Sequence, residues 1–477
     1  MAKKVLLLFL MVSVLTAGAY AGGFALSGVS SKAIAMGGAF RGLADNWSAA
    51  YWNPAGLAQL EQTEINYMGI AITPIPKMNP NIRYGSYDVG YKNDQWRYAE
   101  EKTHLASNVS GFMKLPSRDD VTFGLAVFAP YALGSKWNIF KPLYDDAVAE
   151  YPEWDHEATL RVVDIHPSIA KSFLDKKLML GMGVSIYYGT IDFQKALLNP
   201  TGLPRPHDNV AVDAFLEGNG WGYGANFGML YKFNDKFQVG ISGKLPSKIK
   251  FEGDVTNTLY AIYNNPLLID LVSQATTAEE LAQLAFIFTT PDEGVRRWKS
   301  EATADFKLPA DIGIGFAYKA TEKLTMTLDF SYTFWSRLES IVIEIDTATT
   351  TGDAPPGGGN DELVINTQWE DIFRLSVGGL YEVIEPLEMR FGFFYDPSPI
   401  PAETFSPLFL DIGDKYSFNI GSALKLKNLE FGYNFEYIFF SSLDVPQDEA
   451  AGADFDNYPG QYESKIVANH LSVTYRF

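Results

Sequence analysis

The 477-residue chain has no cysteine, which removes disulfides, thiolate metal sites and thiol nucleophiles from consideration. Histidine is scarce. His104, His156, His166, His207 and His470 fall in separate segments at no metal-ligand spacing. Basic residues are also in short supply, with 38 Lys and Arg against 57 Asp and Glu and a net charge of -19. Little is left to neutralise phosphates, which excludes a general nucleic-acid binder. Beyond residue 21 no uncharged apolar run reaches 18 residues, so no membrane-spanning helix is expected. The mean hydropathy, close to zero, excludes a polytopic helical protein. No P-loop pattern occurs, so no nucleotide energy source is evident. Aromatics and glycine are plentiful instead: 26 Tyr, 33 Phe and 41 Gly. They suit a β protein with many boundaries between wet and dry surfaces.

Residues 1–21 have the pattern of a secretory signal. Lys3 and Lys4 precede the apolar stretch from Val5 to Leu15, and Ala19-Tyr20-Ala21 forms a cleavage site. The alternative, an amino-terminal transmembrane anchor, would need a longer apolar run. The mature chain would start at Gly22, and no cysteine follows to carry a lipid. An exported chain without helical spans is either soluble or a β-barrel.

The last segment separates the two. Val467, Leu471, Val473, Tyr475 and Phe477 share one parity, while Ser464, His470, Ser472, Thr474 and Arg476 share the other, which is the two-residue period of a strand. The same alternation runs through 323–335, 386–396 and 428–440. A soluble sandwich would alternate too. These runs, however, are about 9–14 residues long, enough to cross a bilayer at a tilt and beyond the usual soluble strand. The polar parity, rich in Gly, Ser, Thr, Asn and paired charges, suits a lumen. Strands are expected near 64–73, 105–115, 121–133, 161–174, 177–190, 221–233, 235–250, 310–319, 322–335, 369–382, 386–396, 412–426, 428–440 and 465–477. The expected fold is therefore all-β: a 14-stranded antiparallel transmembrane β-barrel in the outer membrane of a Gram-negative bacterium. Short turns such as Asn234-Asp235 and Lys427-Asn428 alternate with long segments (74–104, 134–160, 191–220, 251–309, 336–368, 397–411 and 441–464), so both termini are expected to be periplasmic.

Residues 22–60 precede the first strand and do not alternate. A barrel of this size leaves a lumen that side chains alone do not fill, and a compact amino-terminal segment could block it as a hatch. A periplasmic tail is the alternative. Residues 61–477 would then be the barrel with its extracellular loops. The loop 251–309 has helix signals. Asn265-Pro266 leads into Leu267, Leu268 and Leu271, and the capping box Thr277-Ala278-Glu279-Glu280 leads into Leu284, Phe286 and Phe288. These six apolar residues could form an external greasy groove, or could simply pack over the barrel mouth.

Several short motifs occur in a fixed order. They are Gly23-Phe24, Asn53-Pro54-Ala55, Phe128-Ala129-Pro130-Tyr131, Ser247-Lys248-Ile249-Lys250-Phe251 with Gly253, Leu308-Pro309-Ala310, Trp335-Ser336, Trp369-Glu370-Asp371-Ile372-Phe373-Arg374 and Asp396-Pro397-Ser398-Pro399. This series, spanning nearly the whole mature chain, resembles the outer-membrane long-chain fatty acid and hydrocarbon transporters of the FadL/TodX type. The resemblance implies passive uptake of hydrophobic compounds. Cargo would bind an external groove and pass to an inner pocket closed by the amino terminus. It would leave sideways into the bilayer where the hatch meets a kink in the third strand. Carried over, Phe24 would sit at the pocket and Asn53, Pro54 and Ala55 at the hatch contact, with Ala129, Pro130, Tyr131 and Gly134 at the kink. The family often has glycine after the Pro-aromatic pair, where this chain has Ala132. A dry side exit also makes physical sense. At about 0.8 kcal/mol per methylene, a sixteen-carbon chain resists a watery pore by roughly 12 kcal/mol.

No catalytic group, metal site or cofactor is expected. His470 reads as a hydrogen-bonded lumen residue. Glu388, Arg390, Asp329, Glu430 and Glu436 read as a network holding the hatch. Asp454-Phe455-Asp456-Asn457 reads as a solvated acidic loop in preference to a calcium site. The expected partners are a hydrophobic small molecule or fatty acid, outer-membrane lipid and lipopolysaccharide, and the expected state is monomeric. Two other readings make different predictions. A plugged barrel serving as a partner in secretion or outer-membrane assembly would co-purify with that partner. A diffusion porin would conduct steadily.

Overall fold

The computed structural model describes residues 24–477 apart from 82, 85–86, 89–94, 116–117, 140–150, 201–208, 261–276, 279–280, 283–284, 287–294, 356–358, 360, 410 and 447–457. Alternating side chains build fourteen strands. β1 (Glu64–Pro74), β2 (His104–Leu115), β3 (Arg118–Trp137), β4 (His156–Phe173), β5 (Leu178–Pro200) and β6 (Asn209–Lys232) are continuous. The next four are each broken in two: β7 (Phe237–Lys244 and Ser247–Tyr260), β8 (Val295–Leu308 and Asp311–Lys319), β9 (Leu324–Thr333 and Ser340–Gly352) and β10 (Glu362–Asn366 and Ile372–Ile384). β11 (Leu387–Asp396), β12 (Lys415–Leu426), β13 (Leu429–Phe440) and β14 (Lys465–Arg476) complete the set. Pro246 and Pro309, which lack a backbone donor, mark the first two breaks. Each strand pairs antiparallel with the next. β14 returns to β1 with Glu64 opposite Arg476 and Pro74 opposite Ile466, so the sheet closes on itself.

Tight turns gather at one end. Asn234 Oδ1 accepts from the amides of Lys236 and Phe237, and Lys427 takes the left-handed conformation in its turn. The carboxy-terminal Phe477 lies at this end, its amide bonded to Thr63 O. Among the described residues no helix is long and apolar enough to cross a membrane. The lipid face is instead made of outward side chains such as Leu180, Met182, Val184, Phe418 and Ile420. Aromatic pairs bound this band, with Tyr188–Trp221 at one edge and Tyr231–Phe233 and Phe237–Phe316 at the turn end.

Several expected loops are strands instead. Segments 191–200 and 209–220 extend β5 and β6. The ends of 251–309 extend β7 and β8 to Tyr260 and from Val295. Much of 336–368 is the outer hairpin of β9 and β10. These extensions form a wall beyond the lipid band, and there the alternation inverts. Ile165 and Ile169 of β4 point outward within the band, whereas Leu160 and Val162 above it point inward and are buried. β5 switches likewise, from outward Leu180, Met182 and Val184 to inward Ile191 and Phe193. Water replaces lipid outside, so the apolar parity must change sides.

Residues 24–60 form no barrel strand. They contain α1 (Ser31–Ala35), α2 (Ala49–Trp52) and a 3-10 turn at Pro54–Gln59. Nearly every side chain here is buried against the inner face of the barrel.

Candidate functional site

The inner wall is cut to fit this segment by glycines at inward-facing positions. A Cβ on Gly392 (β11) would fall 2.0 Å from Gly37 N, and one on Gly228 (β6) 2.0 Å from Asn53 Oδ1. Gly181, Gly240, Gly315 and Gly378 meet the backbone of Pro54, Arg41, Gly42 and Met36 in the same way. Asn53 is fully buried; its Nδ2 donates to Arg41 O (2.9 Å) and to Met229 O of the wall (3.1 Å), while its Oδ1 accepts from Ala55 N (3.2 Å). Pro54 and Ala55 follow at the start of the 3-10 turn, where Pro54 and the Ala55 amide lie against Gly181.

Charge adds to the seat. Asp329 of β9 accepts from the amides of Phe40 (2.9 Å) and Arg41 (2.7 Å), and the Arg41 guanidinium pairs with Asp311 and Ser242. Burial works against the Arg41 charge, but Asp311 and Asp329 outweigh it and raise the pKa above the ordinary arginine value. Glu436 accepts from Ser27 Oγ (2.9 Å) and faces His470 Nε2 (3.2 Å), which makes His470 a hydrogen-bonded lumen residue. Arg390, Glu388 and Glu430 form a wall network with Lys425 and Arg476. Among the described residues their bonds run to one another, to Lys425 and to Arg476, and none runs to residues 24–60.

β3 is kinked. Its register against β4 slips between Phe128 and Tyr131, which places a bulge at Ala129-Pro130. Its ladder with β2 also ends here, at Val109 opposite Val127. The amino-terminal strand bonds β3 just above this point. Ala25 bridges Tyr131, Leu26 N donates to Pro130 O (3.0 Å), and Ala132 N donates to Phe24 O (2.9 Å). Gly134 lies beyond the bulge, in register with Thr159 of β4.

Phe24 is fully buried in an aromatic box, with Phe306 at 4.7 Å, Trp335 at 4.9 Å, and Tyr131 and Trp369 at 5.7 Å. Trp369 Nε1 is buried there without a hydrogen-bond partner. Two of the four strand breaks supply this box through Trp335 and Trp369, and Phe306 comes from the strand just before a third. Against it lies a cavity of about 90 Å³ whose lining includes Tyr131, Trp335, Lys244, Arg374 and the Arg41–Asp311 pair. Arg374 lies over the Phe394 ring (3.8 Å) and Lys244 over Tyr51 (3.5 Å). Among the described residues neither cation forms an ion pair with a carboxylate. Lys244 carried no signal in the sequence, and Arg374 stood out only as the end of the Trp369–Arg374 motif, with no role attached.

The expected external groove is only partly in view. Leu267, Leu268, Leu271, Leu284 and Phe288 lie outside the described residues, as does Asp454-Phe455-Asp456-Asn457. Phe286 packs on Trp298 (6.0 Å) and carries the Arg296 guanidinium over its ring (4.9 Å). Among the described residues, apolar side chains beyond the lipid band gather inside the wall, where Phe193, Leu216, Val255, Ile343 and Ile365 line a narrow crevice with Lys195. Inward apolar parity in 191–220 and 251–260 is the signal that marks it.

A family model described as outer membrane protein transport protein (OMPP1/FadL/TodX) matches residues 12–477. A 47 kDa outer membrane protein of Pasteurella multocida is 24% identical over 482 residues, 98% of this chain and 96% of that one. A long-chain fatty acid transport protein of Escherichia coli O6:H1 is 23% identical over 230 residues, 47% of this chain and 44% of that one. Among solved structures, a Pseudomonas aeruginosa FadL homologue superposes with a TM-score of 0.72 at 18% identity, covering 96% of this chain and all of that one. The toluene transporter TodX of P. putida superposes at 0.69 with 15% identity, covering 94% and 99%. The chain belongs to the OMPP1/FadL/TodX family of outer-membrane transport proteins.

Proposed function

We propose that the protein passes hydrophobic compounds across the outer membrane passively, with residues 22–60 as the gating hatch and with exit sideways into the bilayer between β2 and β3. The observation that carries this reading is the exchange of partners on β3. Where β2 stops pairing with it, the amino-terminal strand bonds to Pro130 and Ala132 instead. Withdrawing Phe24 to Leu26 would therefore empty the aromatic box and release β3 beside the unzipped seam in one movement. The rest of the hatch is tied by Asn53, Arg41 and Asp329 and would stay in place.

The cargo best suited to this geometry is an acid-headed amphiphile such as a long-chain fatty acid. Its tail would take the apolar crevice and the box, and its carboxylate would meet Arg374 and Lys244 in the polar cavity. A plain hydrocarbon would leave that cavity unused.

Asn53→Ala tests the hatch. It removes the bond to Met229 of the wall, worth about 1 kcal/mol, and two bonds that shape the hatch itself, shifting the seating equilibrium toward release by roughly 5-fold. Hydrogen exchange across 31–60 should speed up, and uptake of labelled fatty acid by cells lacking their own transporter should fall. Unchanged exchange together with normal uptake would reject gating by the hatch.

A further inference from the structure

We infer that the imidazole of His104 is the side-chain door of the window between β2 and β3. This rests on the lateral-exit reading above, and adds to it the group that keeps the window shut. The opening has a frame. At its lower edge Ala129 N donates to Asn108 Oδ1 (3.1 Å). At its upper edge Glu100 N donates to Lys136 O (2.9 Å). Between these ties, residues 104–108 of β2 keep their ladder to β1, with His104 opposite Ile72 and Asn108 opposite Met68. β3 keeps its ladder to β4 from Tyr131 onward. Each strand thus holds its other neighbour while the two have separated from each other.

The inner side of the gap is covered by the strand around Ala25. Toward β3 it is spanned by the His104 ring, which lies against the bare face of Gly134. A Cβ there would come within 2.8 Å of Cε1 and 3.4 Å of Nδ1 and Nε2. Glycine at 134 is thus required for the ring to lie across the seam, which accounts for this residue better than the kink does, since the bulge is five residues earlier at Ala129.

An imidazole is suited to the place, since it combines an apolar ring face with polar edge atoms. Opening needs only a side-chain rotation, with no ladder bond broken. Such motion is far faster than rearrangement of a strand. The door and the amino-terminal strand act in series. The strand releases cargo toward the seam, and the rotation of His104 lets it through.

Because the chain has no cysteine, the test is a double variant, His104→Cys with Gly134→Cys, beside a control pair lower on the same seam, Asn108→Cys with Ala129→Cys. Both are placed in cells lacking their own transporter, and uptake of radiolabelled palmitate is read before and after oxidation. Disulfide formation is followed by mass spectrometry. Oxidation of the upper pair should reduce uptake to the level of cells without the protein, and a reductant should restore it. Normal uptake with the upper pair locked, while the control lock blocks, overturns the door and leaves lateral exit standing. Normal uptake with both locked overturns lateral exit itself. Should the double variant not fold or not oxidise, His104→Trp carries the test, and unchanged palmitate uptake would refute the door.

Discussion

Replacing Gly392 by valine is expected to turn the closed barrel into an open pore. The new Cβ would lie 2.0 Å from Gly37 N and 2.2 Å from the Met36 carbonyl carbon, so the clash is with main chain and no rotamer change relieves it. Overpacking of about 3 kcal/mol amounts to more than roughly 100-fold against the seated state. Residues 31–60 should leave the lumen while the barrel, whose outward face is untouched, still inserts. Planar-bilayer recording should give large steady conductance, and protease added on the turn side should cut the freed segment. A quiet, protease-resistant variant would mean that the wall glycines do not form the seat.

Arg374→Ala is expected to separate the two cargo classes. A charge-assisted hydrogen bond is worth about 1.5–3 kcal/mol, or roughly 10–100-fold in dissociation constant. Laurate binding to the purified protein should weaken by that factor, toluene binding should hold, and Arg374→Lys should keep part of the laurate affinity. Titration calorimetry with both ligands reads the difference. Equal weakening for both would make Arg374 a structural prop, through its bond to Gly37 O and its contact with Phe394. No change for either would place the carboxylate elsewhere.

The barrel was legible where lipid wets one face of the strand. β11, β13 and β14 are found within a residue or two of their expected limits because Phe391, Phe431 and Leu471 keep one parity throughout. The wall beyond the membrane was not legible for the same reason. Leu160 and Val162, or Ile191 and Phe193, take the opposite parity to their neighbours in lipid, and a search for one continuous phase ends there. Phe24 and the Asn53-Pro54-Ala55 turn were reachable through the ordered motifs. The wall glycines were visible as residues but not as a seat, since Gly228 and Gly392 also suit a polar lumen and the residues facing them, Asn53 and Gly37, are more than 170 residues away in the chain. Lys244 and Arg374 needed coordinates, because only the fold puts a cation from β7 and another from β10 against one cavity.

The seat is shared among strands from Gly181 on β5 to Gly421 on β12, with Ala35 facing the latter. No part of it is complete until most of the sheet exists, and the sheet is not a cylinder until the final strand reaches the initial one. Residues 24–60 are made before the strands that seat them and must therefore wait for their binding surface, and contacts of such long sequence separation form slowly. An assembly intermediate with a closed cylinder and an undocked amino terminus is the natural late species, and it would be leaky until docking ends.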